Sequence, residues 1–257
     1  MTAEADGQHL AERARHDWSL GLAPIADVAA LLEETVGADV LIIRMPDHHD
    51  GFTRRNPQTG DIIVAAAATD SPERQRFTLA HELGHILADD LHDTLETVHT
   101  AGASETCAHA FARHFLAPLD GVRRLKEKHT GAELVSEVIR HFGVSPKVAG
   151  IQLGRLGLDP AGKEAAMSKS AAWYATRYGW DSERAGDVAA ARMERPPRSI
   201  VAAATAAFED GHVDDVMLAR LRMNAVSVTD ELLKDAGIEV VQPRVEERSF
   251  DAGDDDW

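Results

Sequence analysis

A single cysteine, Cys107, stands among 257 residues, so the chain cannot close an internal disulfide. Positive charge is also scarce. With 27 Lys and Arg against 43 Asp and Glu, the formal net charge is −16. That balance argues against a protein that holds DNA by its own phosphate contacts, which depend on clustered Lys and Arg, and it permits attraction to a basic protein partner. No uninterrupted apolar run approaches membrane-spanning length, and the acidic start Met1-Thr2-Ala3-Glu4-Ala5-Asp6 has no apolar signal segment behind it. The expectation is a cytoplasmic protein with no membrane part. Internal repeats, a phosphate-binding glycine loop and a Ser-His-Asp arrangement are likewise missing.

The most informative segment present is His81-Glu82-Leu83-Gly84-His85. On a helix, histidines four residues apart project both imidazoles from one face, which is half a metal site. Zinc takes neutral imidazole nitrogen readily, and a Glu next to the first His stands where it can take a proton from water. The surroundings are helical: Ser71-Pro72 reads as an N-cap followed by proline at the first helical position, and Phe77, Ala80, Gly84, Leu87 and Ala88 recur at helical spacing. Gly84 lets another backbone approach closely. A metzincin-type extension is excluded, because the positions three and six after His85 hold Ala88 and Leu91. Among the nearby donors Asp89, His92, Glu96, His99 and Glu105, only Glu105 opens a fresh helical pattern, with Ser104 as its cap and Ala108, Ala112, Phe115 and Leu116 on one side, stopped by Pro118. A carboxylate on a second helix facing the first gives a His2Glu set with one open position, as in catalytic zinc sites. Cys107 lies on the same predicted helix, directed away from Glu105, and reads as a small buried residue.

The run Arg76-Phe77-Thr78-Leu79-Ala80-His81-Glu82-Leu83-Gly84-His85, followed by Glu105-x-x-Ala108-x-x-Phe111-Ala112-x-x-Phe115-Leu116-x-Pro118, resembles the ImmA/IrrE family of metallopeptidases. Weaker similarity extends from about Pro24 to about Leu158. The resemblance implies that His81, His85 and Glu105 bind zinc, with manganese as an alternative ion, and that Glu82 is the catalytic base. One position departs from the family pattern: where Asn is usual four residues after the ligand Glu, this chain has His109, on the same helical face as Glu105. His109 is then a donor to a ligand, a stabiliser of the reacting carbonyl or a simple replacement.

The fold expected is α+β: a mostly helical zincin-like metallopeptidase domain over residues 1–158 with a small three-stranded sheet, then a helical C-terminal region over 163–243. An acidic tail over 244–257 is expected to be disordered. Strands are predicted at Asp39 to Arg44, Phe52 to Arg55 and Asp61 to Ala66, and a short helix at Ala11 to Asp17. The third strand leads into the HExxH helix, so its outer edge is a candidate for pairing with an extended peptide or with the protein itself. Residues 131–157 have helix-turn-helix spacing, but Lys147, Gln152 and Arg155 are too sparse for DNA recognition and the segment reads as structural. Leu158-Asp159-Pro160-Ala161-Gly162 reads as a domain boundary. Beyond it, helical patterns lie near 171–178, 182–193, 199–209, 213–223 and 229–236, with a final strand at 238–241, and Trp173, Tyr174, Tyr178 and Trp180 read as packing. The function expected is a zinc-dependent endopeptidase. From the resemblance, its substrate is a helix-turn-helix transcriptional repressor, cut to release a stress, phage or mobile-element response. The alternative is a non-proteolytic metal-binding regulator that acts by binding a partner protein.

Overall fold

The computed structural model describes residues 2–91 and 102–238, which fold into thirteen helices and a three-stranded sheet. The proteins's α+β, mostly helical class follows from that content. The chain opens with α1 (Ala3–Asp17) and α2 (Val28–Val36), then β1 (Asp39–Ile43), β2 (Gly51–Arg55) and β3 (Ile62–Ala67), then α3 (Pro72–Ala88) and α4 (Ala103–Leu116). Thr2 caps α1 through Ala5 N–H, so this helix starts eight residues earlier than the apolar pattern alone indicates.

The sheet runs β1-β3-β2, with β1 parallel and β2 antiparallel to β3. Val40, Ile42, Val64 and Ala66 are buried on one face; on the other face of β3 Ile63 is exposed, whereas Ala65 is buried. β3 is therefore the central strand and both its edges are taken, which removes it as a site for an added peptide strand. The edge nearest α3 belongs to β2 instead. The opposite side of β1 meets Arg195, which exchanges both backbone hydrogen bonds with Ile42 at 2.9 Å.

After α4 come α5 (Leu119–Lys126), α6 (Gly131–Phe142) and α7 (Pro146–Arg155). α6 ends on Gly143 in the left-handed conformation and Ser145 caps α7, giving the expected helix-turn-helix spacing. Its second helix is spent on internal contacts: Gln152 is fully buried and donates to Ala117 O at 2.7 Å, and Arg155 pairs with Glu4.

The compact unit does not stop at residue 158. Asp159 accepts from Gly162 N–H at 2.7 Å and Pro160 is the first residue of α8 (Pro160–Met167), so the residues that read as a domain boundary are the cap and first turn of a helix. α9 (Ala171–Tyr178) and α10 (Asp181–Arg192) follow, and the first unit extends to Arg195. Ala166, Ala171, Tyr174, Ala175 and Trp180 belong to the main core, with Trp180 donating to Ser136 Oγ at 2.9 Å and Tyr178 packed against that core, whereas Trp173 of the same aromatic group is exposed. The second unit begins at Pro196 and contains α11 (Arg198–Glu209), α12 (Asp215–Leu221) and α13 (Val226–Asp235) around Ala204, Phe208, Leu218 and Leu233. The expected last strand, beyond Ile238, and the acidic tail lie outside the described residues. Among the described residues no helix is long and apolar enough to cross a membrane.

Two features join α1 to α4. Arg15 is buried and donates to the carbonyls of Phe115, Gly21 and Ala23; burial pushes its pKa down to about 10, so it remains charged at neutral pH. Gly7 faces α4 so closely that an added Cβ would stand 2.2 Å from the Cys107 carbonyl oxygen, a backbone atom that cannot rotate away. Gly7→Ala should therefore destabilise the protein by about 1–3 kcal/mol despite alanine's better helix propensity. Urea unfolding measures this, and an unchanged midpoint would disprove the tight contact.

A pH effect arises on the same helix pair. His114 is buried; its Nδ1 accepts from Gln152 at 3.4 Å, and its Nε2 lies 3.8 Å from Glu4. Burial, with Arg155 and Arg113 nearby and Glu4 pulling the other way, holds its pKa down to about 4. The folded state therefore resists a proton that the unfolded chain takes near the ordinary histidine value, so stability falls as pH drops from about 6.5 toward 4, by up to about 3 kcal/mol. His114→Asn should flatten the stability profile in that window, measured by denaturant midpoints at stepped pH; an unaltered slope would remove His114 as the cause.

Candidate metal centre

α3 begins with Pro72 at its first turn, and Ser71 precedes it, though the Ser71 hydroxyl meets Glu73 at 3.3 Å instead of capping the backbone. The six residues His81 to Ile86 are all buried, because the helix passes between the sheet and α4. Gly84 makes the second contact close: a Cβ there would stand 3.1 Å from Ala108 Cα and from the Phe111 ring. That approach brings the first turn of α4, with Glu105, alongside the two histidines.

The result is a tight triangle of donors. His81 Nε2 and His85 Nε2 are 3.1 Å apart, and the Glu105 carboxylate lies 3.3 Å from the first and 3.2 Å from the second. Zinc bonds of about 2.0–2.2 Å at tetrahedral angles place neighbouring ligand atoms about 3.3–3.6 Å apart, so the spacing suits one ion. A wider group of His81, Glu105 and His109 has ligand atoms within 4.8 Å of one another. The tighter triangle is the better fit to a single small cation. His109 flanks it, with its ring 4.5 Å from that of His81 and stacked on Phe77 at 5.7 Å. His109 keeps an exposed edge, while the packing of its inner side pushes its pKa below the ordinary value; the Glu105 charge opposes that shift.

Glu82 is 4% exposed and accepts a hydrogen bond from Thr53 Oγ1 at 2.7 Å, which ties the motif to the edge strand β2. His85 Nδ1 meets Asp90 Oδ1 at 2.8 Å, and the Ser104 hydroxyl donates to the other oxygen of Asp90. Ser104 is thus not the cap of α4: the cap position is Gly102, and Ser104 sits inside the first turn. Of the other donors weighed from sequence, Asp89 points to Arg55 at 2.8 Å, while His92, Glu96 and His99 lie outside the described residues. Cys107 is half-buried, with burial pushing its thiol pKa up.

Thr53 and Asp90 escaped the sequence reading, and Ser104 was read only as a helix cap. Asp90 carried a weak signal, as a carboxylate just past the second motif histidine, whereas nothing local connects Thr53 to Glu82, 29 residues away.

His81, Glu82 and Glu105 line a cleft of about 1030 Å3 together with Phe52, Phe77, His109, Lys147, Val148 and Ile151, among others. Residues 33–153 match the family described as the IrrE N-terminal-like domain. This part of the chain is a domain of the ImmA/IrrE family. The domain's family is one of metallopeptidases, and its residues span the sheet's first strand, both donor helices and α7. A similar curated protein is the radiation response metalloprotease IrrE of Deinococcus radiodurans, 28% identical over 159 residues, which cover 59% of this chain and 40% of that protein. A solved structure described as a Mycobacterium tuberculosis transcriptional regulator matches at 23% identity with a TM-score of 0.45, over 61% of this chain and 48% of that one. The chain thus aligns with less than half the length of either protein.

Proposed function

We propose that this protein is a zinc-dependent endopeptidase whose substrate is a DNA-binding repressor of the helix-turn-helix type, cut to start a stress, phage or mobile-element response. The observation that carries the reading is the convergence of His81, His85 and Glu105 within 3.3 Å, with Glu82 lining the cleft beside His81 and Glu105. Two imidazoles and one carboxylate are the donor set of catalytic rather than structural zinc sites. His81, His85 and Glu105 would hold a zinc or manganese ion, which would supply Lewis acidity toward a peptide carbonyl and lower the pKa of bound water.

The remaining work falls to this chain's side chains. Glu82 accepts the proton of the attacking water and passes it to the departing amine, with Thr53 fixing the orientation of its carboxylate. His109, at the mouth of the cleft, donates a ring N–H to the carbonyl oxygen as negative charge develops there. A neutral imidazole suffices for that, and its lowered pKa favours the neutral form. The edge of β2 away from β3 accepts the extended substrate, since β3 is the central strand. A repressor presents Lys and Arg on its DNA-binding face, which complements a chain of net charge −16. The relative's description as a radiation response metalloprotease agrees with a role in stress.

The test is incubation of the full chain with a candidate repressor and zinc or manganese, followed by mass measurement of fragments. One discrete cut supports the reading, and an intact repressor that nevertheless loses its operator in the presence of the protein supports the non-proteolytic alternative.

A further inference from the structure

The side-chain cluster at the end of α3 does more than enclose the donors. Neutral imidazole carries one proton on either ring nitrogen, and free histidine in water favours Nε2–H, the form with no lone pair at Nε2. His85 turns its Nε2 toward Glu105 and His81, so it ligates a cation only in the other form, with the proton on Nδ1. At 2.8 Å from that Nδ1 stands Oδ1 of Asp90. Asp90 reaches this place because Asp89, with φ of 53°, takes the left-handed conformation and ends the helix, and the Asp90 backbone N–H then donates to the His85 carbonyl at 3.3 Å. The second carboxylate oxygen of Asp90 accepts from Ser104, the residue before Glu105, so one carboxylate touches the His85 ring and the first turn of the helix that carries Glu105. Its side chain is 24% exposed, which leaves the hydrogen bonds partly shielded from water.

We propose that Asp90 is a positioning residue, which holds His85 in the Nδ1–H form with Nε2 free for a metal ion and, through Ser104, fixes the turn that presents Glu105. The inference rests on the metal centre read above. It assigns Asp90 a cost in affinity rather than in folding, because neighbours that orient a ligand histidine are worth about 10–100-fold in metal binding.

Two readouts on the full chain decide it: zinc affinity by competition with a chromophoric chelator, and the His85 tautomer in the metal-free protein by long-range 1H–15N NMR. Asp90→Ala should bind zinc about 10–100-fold more weakly and move His85 toward Nε2–H. Asp90→Asn, whose amide oxygen can accept the same N–H, should restore part of both. If Asp90→Ala does not fold by circular dichroism, Asp90→Asn is compared with wild type on the same two readouts, with an intermediate loss expected. A folded variant that retains either the wild-type affinity or the wild-type tautomer overturns the proposal. Should the wild-type chain bind no zinc, the metal-centre reading fails, and the NMR measurement alone then decides whether Asp90 sets the tautomer.

Discussion

Glu82→Gln is expected to lower cleavage of the substrate by about 10² or more while zinc content, folding and substrate binding stay as in wild type. The expectation follows from how the side chain is held. Glu82 is buried on α3 and accepts from Thr53 Oγ1 at 2.7 Å, and glutamine has the same shape with an oxygen that accepts the same bond. What disappears is a basic oxygen able to take a proton from water. The donors His81, His85 and Glu105 are untouched, so metal analysis should show an unchanged ratio of zinc to protein. A substrate that binds without being cut should also make the complex easier to isolate. Mass measurement of fragments, beside circular dichroism and metal analysis, gives the comparison. Equal cleavage by both proteins would sink the role of Glu82. A Glu82→Gln protein that relieves repression in cells with no fragment would make this chain a binding regulator.

The parts of this site that were legible in the sequence are those written in local periodicity. His81 and His85 declare their common face through helical spacing, with Glu82 next to the first, and Glu105 is found because a second apolar stripe starts beside it; His81, His85 and Glu105 lie within 3.3 Å of one another. Contacts that depend on pairing between distant segments were not legible. The order β1-β3-β2 makes the last strand central, and no feature of Ile62 to Ala67 alone distinguishes a central strand from an edge one. The same limit hid Thr53, whose link to Glu82 exists only because β2 lies against α3.

Two further differences come from polar residues with more than one use. Ser104 looks like a helix cap because serine before a helical run usually is one, but its hydroxyl is engaged by Asp90 and Gly102 takes the cap position. Asp159-Pro160 looks like a domain boundary because Pro and Gly punctuate both turns and helix starts. Here they start α8, and the unit runs on to Arg195, whose backbone completes the free side of β1. Gly84, by contrast, was legible from its position between the two histidines, since a side chain there would press on Ala108 and Phe111.

The companion expectation concerns the metal. Glu105→Ala should weaken zinc binding by more than about 100-fold, because the donor triangle loses its only anion and keeps two imidazoles. The fold should survive, as Glu105 lies in the first turn of α4, only partly buried, while the contacts that hold α4 against α3 are made by Ala108 and Phe111. His109, one turn further along, is the group positioned to compensate, so the measurement includes Glu105→Ala with His109→Ala. If the wider group of His81, Glu105 and His109 held the ion, His109→Ala alone would release zinc as readily as Glu105→Ala; with His109 at the flank, His109→Ala should keep its zinc and lose cleavage instead. Chelator competition on the three purified variants separates these outcomes. Full zinc retention by Glu105→Ala would refute the His81, His85 and Glu105 triangle and move the third ligand to another residue.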